Sequence, residues 1–559
     1  MLSACLRVAL LGLASSLFVA ADPVVQIGDS RISYRGTTKN SIEHFQNINE
    51  IDATAPGPAC PQSKAGTPPF FADTPDTSED CLHLRIARPA GLCHFDPGHI
   101  IKLSASIKKP IIYVSLNYRL TIFGFANLQT LYDQKSLNVG MRDQRAGFQS
   151  VKNNIASFGG NPDSITAFGL SSGGTFISLQ TLAYGGEKDV PFTKVWSILG
   201  CYREDDKDIL KCLREAPMEK LTETAMNYSV SNHPPAGLFT FIPSVDDDFI
   251  LDRHKVLYKA GRFTKGIPMV FGWAQDDGAT NAGPAEPFQN EEDIKTPIKA
   301  FAHELTTEDY EQLFSLYSVS DFEEDVRNYE DSKAASDPDV SVHFFRASRI
   351  LRDILFTCSS IDFGYEMSRQ SRVTHPTFPG VRFYDLNQSM LAPLFKGVGM
   401  SYIRVAHGSD TNYIFYGVYP EGSVSEDDRK LSQSMATAFI NFAYSGDPTS
   451  AEDEHFSSWP EAFPDPKTLD GSMASTLSSF NVHVIGGPLG SGSCHVSSDY
   501  TNAYVIGQED NGFQQPLVDS VGYTEMESMA SQTRKREVGR EKLLERCAFI
   551  STLSEKFGV

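Results

Sequence analysis

The chain has 559 residues, with 49 lysines and arginines against 70 aspartates and glutamates, a formal charge of −21. Hydrophobic residues at 41 % and charged residues at 21 % are ordinary globular usage and exclude a disordered or collagen-like chain. So acidic a chain has no bulk positive surface to release counterions from a phosphate backbone, and no nucleic-acid partner is expected.

Residues 1–21 read as a secretory signal peptide. Arg7 precedes an apolar run from residue 8 to 19, and Val19-Ala20-Ala21 supplies small residues for cleavage. The run is short for a membrane span, Asp22-Pro23 follows at once, and no later stretch reaches the roughly 20 apolar residues a span requires. Residues 22–559 are therefore expected as one secreted, extracellular domain in an oxidising compartment. Of the nine cysteines, Cys5 leaves with the signal. Cys60 and Cys81, and Cys201 and Cys212, lie close in sequence and read as loop staples, each worth about 3 kcal/mol in the chain-entropy model. The pairing of Cys93, Cys358, Cys494 and Cys547 stays open, and the absence of any C-x-x-C argues against zinc-ribbon or thioredoxin-type sites. Asn227 and Asn387 stand in glycosylation sequons.

Residues 111–116, after Pro110, are apolar on both faces, as in a strand buried in a parallel sheet. Phe148, Val151 and Ile155 then recur at helical spacing up to the stop Gly159-Gly160-Asn161-Pro162. A strand over 165–168, a glycine-containing turn and a helix over 174–182 follow, with further strands at 267–271 and 381–384. This alternation predicts an α/β sheet with crossovers. Residues 302–335 are acidic and helical in pattern, which reads as a solvated face. From residue 534 the chain begins basic, then places Leu543, Leu544, Cys547, Ile550 and Leu553 at helical spacing, predicting a helix docked on the body. The plentiful phenylalanines read as core.

Gly169-Leu170-Ser171-Ser172-Gly173 has G-x-S-x-G spacing between a predicted strand and a predicted helix. A turn tight enough to lift Ser171 Oγ needs small residues on either side. The N–H of Ser172 and the helix N-terminus then face a developing oxyanion. A serine hydroxyl is not deprotonated at neutral pH, so Ser171 needs a base held by an acid. Asp276-Asp277-Gly278 follows a predicted strand, and His407-Gly408-Ser409-Asp410 lies in a later loop. The order Ser, acid, His selects Ser171, Asp277 and His407, with Asp410 a rival for holding the imidazole.

With these motifs the chain resembles the type-B carboxylesterases, the cholinesterase-like α/β-hydrolases, and among them fungal secreted lipases and esterases. Ser78-Glu79-Asp80-Cys81-Leu82 matches the family's S-E-D-C-L signature. Asn117-Tyr118-Arg119, Phe158-Gly159-Gly160-Asn161-Pro162, the elbow, and Phe442-Ala443-Tyr444-Ser445-Gly446-Asp447-Pro448 match others. The resemblance implies a mostly parallel central sheet flanked by helices, with Ser171 as nucleophile, Asp277 as acid and His407 as base. It also implies that Cys60–Cys81 closes the loop serving as a lid in lipases of the family, and Cys201–Cys212 a second loop.

The chain departs from the pattern at several points. Leu170 stands where relatives carry Glu, Ser172 where they carry Ala, and Asp277 where many carry Glu. After Arg88-Pro89-Ala90-Gly91 the family has an apolar strand ending in H-G-G-G, whose glycine N–H groups form most of the oxyanion hole. Here Leu92-Cys93-His94-Phe95-Asp96 follows instead, so the sheet is expected to lack one central strand. The expected function is hydrolysis of an apolar carboxylic ester, with lipid-interface contact in view. The alternative is an impaired or inactive member acting as a secreted binding protein, or an incomplete gene product. No cofactor or metal is expected, since there is no P-loop, no dinucleotide fingerprint after a strand and no cluster at metal spacing.

Overall fold

The computed structural model describes residues 24–26, 33–35, 37–39, 42–46, 57–64, 74, 76–90, 97–197, 216–232, 240–335, 337–417, 424–464, 477–488, 490–497 and 529–557. The signal segment, residues 91–96 with Cys93, and Cys201 with Cys212 lie outside the described residues.

The C-terminal two-thirds of the chain builds a six-stranded sheet. Its order is β12 (Gly492–Ser497), β11 (Ser479–Ile485), β10 (Val381–Leu386), β9 (Met269–Ala274), β8 (Lys194–Ser197) and β7 (Thr166–Phe168). Strands β7 to β11 run parallel and β12 closes the edge antiparallel to β11. Strands β9 and β10 are buried at every position, because helices cover both faces of a parallel sheet; β10 carries Arg382 and Asp385 even so, and Arg382 is held by the carbonyls of Trp459 and Pro379. A second sheet of four strands, β3 (Thr37–Lys39), β4 (Ile42–Gln46), β5 (Leu84–Ala90) and β6 (Tyr113–Leu116), is antiparallel throughout. β1 (Val24–Gln26) and β2 (Ser33–Arg35) form a separate antiparallel pair.

The expectation for residues 111–116 needs correction. β6 is half-buried along its length and antiparallel to β5, not buried in a parallel sheet. It is apolar on both faces for a different reason. Val114 and Leu116 pack with Val151, Ile155 and Phe158 of the helix Val139–Asn154 and the turn after it. Tyr113, on the other face, meets Phe415 edge-on at 5.8 Å. Phe415 also meets Phe168 of β7 at 6.0 Å. Among the described residues no strand joins β6 to β7, and Phe415 touches an aromatic ring on each of them.

The acidic region is also more than a solvated face. Tyr310, Leu313, Phe314, Phe322 and Tyr329 of 307–332 are buried. Several of its carboxylates pair with the basic C-terminal segment: Asp321 with Lys542 at 2.9 Å and Arg546 at 3.0 Å, Glu324 with Arg540 at 2.7 Å, Asp309 with Lys556 at 2.6 Å. The docked C-terminal helix is present as Leu543–Thr552, burying Leu543, Cys547 and Ile550. Cys547 is bonded to Cys358, with Cα atoms 4.9 Å apart across a sequence separation of 189. A crosslink of that span constrains the unfolded chain by about 5 kcal/mol in the entropy model. Cys60–Cys81 is present as expected, and Cys494 is buried in β12.

Candidate active site

β7 ends at Phe168 and the helix Ser172–Leu182 begins four residues later. So sharp a reversal forces Ser171 to φ 56° and ψ −126°, left-handed backbone that a non-glycine residue adopts only under strain. Gly169 is required for the same reason: a Cβ there would lie 2.4 Å from the carbonyl carbon of Gly173. Ser171 is half-buried and Ser172 exposed. Ser172 opens the helix, so its N–H belongs to the first-turn amides that have no partner inside the helix.

β9 ends at Ala274 and turns directly into Asp277. Asp277 Oδ2 accepts a hydrogen bond from the Ala274 N–H at 2.8 Å, while Oδ1 lies 2.5 Å from His407 Nδ1. The two loops are also joined through the backbone, where Asp276 N–H donates to Val405 O at 3.0 Å. Asp277 is only 2 % exposed, whereas the His407 side chain keeps 22 %. The rival acid, Asp410, is engaged elsewhere: it accepts from the buried Tyr384 hydroxyl at 2.6 Å. Burial alone would push the imidazole pKa down. The Asp277 charge and hydrogen bond, helped by Asp410, outweigh burial and leave His407 above its ordinary 6.5.

The sequence-selected acid and base thus meet directly. Ser171 stands on the neighbouring loop, which touches the histidine loop through Leu170: a Cβ on Gly408 would lie 3.6 Å from Leu170 Cδ2. Leu170, in the place of a family Glu, gives that contact an apolar partner. No hydrogen bond joins Ser171 to His407 among the described residues, and such bonds often close only in the substrate complex. The Phe356 ring stacks on the imidazole at 4.7 Å and 22°. Sequence reasoning missed Phe356 and Tyr384, and neither carries a motif. It also missed Arg346, Arg349 and Arg352, which recur every third position of a largely apolar helix, Val342–Arg352, and are all buried. That spacing on one face was a readable signal for buried ion pairs.

Of the sequon residues, Asn227 is exposed on the helix Met218–Asn232, while Asn387 is half-buried and its Ser389 is buried against Ser409 at 2.9 Å. A cavity of about 330 Å³ between Gln62 and Lys64 of the Cys60–Cys81 loop and Met218, Glu219 and Met226 does not touch the acid–base pair. No helix among the described residues is long and apolar enough to cross a membrane.

For His407 to serve as a general base its imidazole must be neutral, and kcat/KM should then fall as pH drops through an apparent pKa above 6.5. In stability the sign is the reverse: a raised imidazole pKa favours the folded state at low pH, and that share is lost as pH rises through the folded value. A pH–rate profile with its acid limb at or below the free imidazole value would contradict the electrostatics described.

A serine lifted at a strand–helix turn and an acid–base pair beyond later strands of a mostly parallel, helix-covered sheet define an α/β-hydrolase. The carboxylesterase family model matches residues 41–190 and 187–470, and the chain belongs to that family, which places it with the carboxylic ester hydrolases. It is 28 % identical over 515 residues to a secreted lipase of Arthroderma benhamiae, covering 78 % of this chain and 86 % of that one. It is 29 % identical over 476 residues to an inactive carboxylesterase-like protein of Byssochlamys spectabilis, covering 74 % and 78 %. Among solved structures, EstA of Aspergillus niger shares the fold with a TM-score of 0.66 at 18 % identity, over 96 % of this chain and 99 % of that one.

Proposed function

We propose that the protein is a secreted serine ester hydrolase acting on apolar carboxylic esters through an acyl-Ser171 intermediate. Ser171 Oγ attacks the ester carbonyl while His407 Nε2 takes its proton, and the Asp277 carboxylate stabilises the imidazolium. The Ser172 N–H donates to the oxyanion. Collapse expels the alcohol, which receives the proton from His407, and a water activated by the same imidazole then releases the acid. The observation that carries this reading is the 2.5 Å bond from Asp277 to His407 beside the Ser171 elbow. An apolar acyl or alcohol group, and contact with a lipid interface, are supported by the likeness to a secreted lipase. Secretion rests on that likeness and on the signal-like N-terminus.

The test is reaction with a serine-directed organophosphate. One adduct per chain is expected by intact mass, mapping to the peptide that holds Ser171. An unlabelled protein, or an adduct elsewhere, would defeat the assignment. Rates on short-chain and long-chain p-nitrophenyl esters, below and above the micellar threshold, then separate a soluble-ester esterase from a lipase.

A specific observation favours a second reading, a non-catalytic secreted binding protein. The H-G-G-G segment is missing after Gly91, and one relative of similar identity is named inactive. This reading requires ester turnover to stay at background in a monodisperse protein that unfolds cooperatively.

A further inference from the structure

Behind the acid–base pair lies a buried cluster of charges that no step of the chemistry uses. The turn carrying Asp277 rests directly on the helix Val342–Arg352: a Cβ on Gly278 would lie 2.0 Å from Ser348 O and 2.5 Å from Arg352 N. From that helix, Arg352 reaches Gln275 O at 3.5 Å, and Arg349 lies 3.9 Å from Asp276 and 3.8 Å from Asp325. Arg404, three residues before His407, pairs with Asp276 and with Asp325 at 2.8 Å. Its backbone sits at φ 51°, a left-handed conformation that persists in a non-glycine residue only where the surroundings enforce it. Asp276 and Arg404 therefore tie the acid turn to the base loop.

One residue closes this arrangement from far away in sequence. Glu541 stands between the two C-terminal helices, is buried, and accepts from Arg349, from Arg352 at 2.9 Å and from the Gln275 side chain at 2.9 Å. It thus touches the residue two positions before Asp277 and both arginines that brace the turn. Arg546 lies 3.8 Å away on the other side, and the Cys358–Cys547 bridge pins the segment next to it. Three guanidinium groups hold the Glu541 carboxyl far below the usual carboxylate range despite its burial, so it carries its charge at any working pH.

We propose that Glu541 is a positioning residue for Asp277 and His407, through which the docked C-terminal segment sets the geometry of the acid–base pair. Glu541 anchors Arg349 and Arg352. These arginines hold the 275–278 turn and, through Asp276 and Arg404, the loop ending at His407. Removing its charge leaves Arg349 with no ionic partner nearer than 3.8 Å among the described residues and frees the turn to shift. The inference rests on the proposed acid and base but not on the nucleophile.

The experiment compares wild-type protein with Glu541→Gln, Glu541→Asp and Gln275→Ala, each as the full secreted chain. Two readouts respond to positioning and not to mere stability: the split between kcat and KM, and the low-field proton resonance of the Asp277–His407 hydrogen bond. In Glu541→Gln, kcat should fall on the order of tenfold to a hundredfold, since displacements of about 1 Å near reacting groups cost that much. KM should change less than about twofold, because binding groups are untouched. The resonance should shift or broaden, and Glu541→Asp should restore most of both signals. Should Glu541→Gln fail to accumulate, Gln275→Ala decides, because it cuts the direct link while keeping every ion pair; a several-fold loss of kcat and a shifted resonance are expected. A folded Glu541→Gln, or failing that Gln275→Ala, with wild-type kcat and an unmoved resonance overturns the proposal. If wild type shows no turnover, the resonance alone decides. Organophosphate reacting away from Ser171 would overturn the nucleophile and leave this test standing, whereas a wild-type protein without the resonance would overturn both readings.

Discussion

Ser171→Ala should lower kcat/KM by about six decades and Asp277→Asn by about four, the losses seen when a serine nucleophile or the acid behind its histidine is removed. The two differ because the groups fail differently. Without the Ser171 hydroxyl no acyl intermediate forms, and only binding and any oxyanion donors remain. With asparagine at 277 the nucleophile survives, but the amide presents an N–H or a neutral oxygen to His407 Nδ1 where a buried carboxylate now sits at 2.5 Å. The imidazole then loses its counter-charge and its preferred tautomer. Since burial by itself pushes the His407 pKa down, the acid limb of the Asp277→Asn profile should move to lower pH as well. Steady-state rates on a p-nitrophenyl ester measure both. A Ser171→Ala protein that keeps wild-type turnover would place the nucleophile elsewhere, and an Asp410→Asn protein that loses more than Asp277→Asn would transfer the acid to Asp410.

Much of this site was legible because its chemistry is written locally. The elbow needs Gly169 before Ser171, and a strand of buried apolar residues has to precede Asp277. Those constraints survive in sequence regardless of what packs around them. The strands β9 and β10 were visible as short, mainly apolar runs, though the first is displaced: residues 267–271 were expected and Met269–Ala274 is found, because Pro268 cannot donate to a ladder. Strand direction was not legible. Apolar character on both faces of 111–116 fits a parallel strand between two layers of helices, and it fits equally an antiparallel strand covered by a helix on one side and by Phe415 on the other. β11 escaped although Phe480, Val482 and Val484 alternate in it, and β8 is too short for a period to register. Glu541 lay hidden for another reason. It is one acid in a strongly acidic chain, and only the fold brings it to Arg349, 192 positions away.

The largest remaining effect concerns the gap between β6 and β7. In the family pattern a strand ends in H-G-G-G, whose glycine N–H groups are oxyanion donors, and no H-G-G-G motif follows Gly91 in this sequence. Each missing donor raises the barrier by ~2.7–4 kcal/mol, so two account for about four decades in rate. The Ser172 amide does not depend on that segment, because the elbow geometry that exposes it rests on Gly169 and on the backbone of Ser171. Acylation should therefore be detectable but slow, with organophosphate labelling less affected than ester turnover. Inserting an apolar strand ending in H-G-G-G after Gly91 should raise kcat/KM by up to about four decades. The same insertion should slow amide exchange at 113–116 and 166–168, because β6 and β7 each end their sheet and an added strand pairing with them gives their outer backbone groups ladder partners. If the insertion changes neither quantity in a folded protein, the gap is not what limits the chemistry. A wild-type chain turning over as fast as lipases with the complete segment would show that other N–H groups already surround the oxyanion, and that the Phe415 contact between Tyr113 and Phe168 holds the two sheets closely enough to aim them.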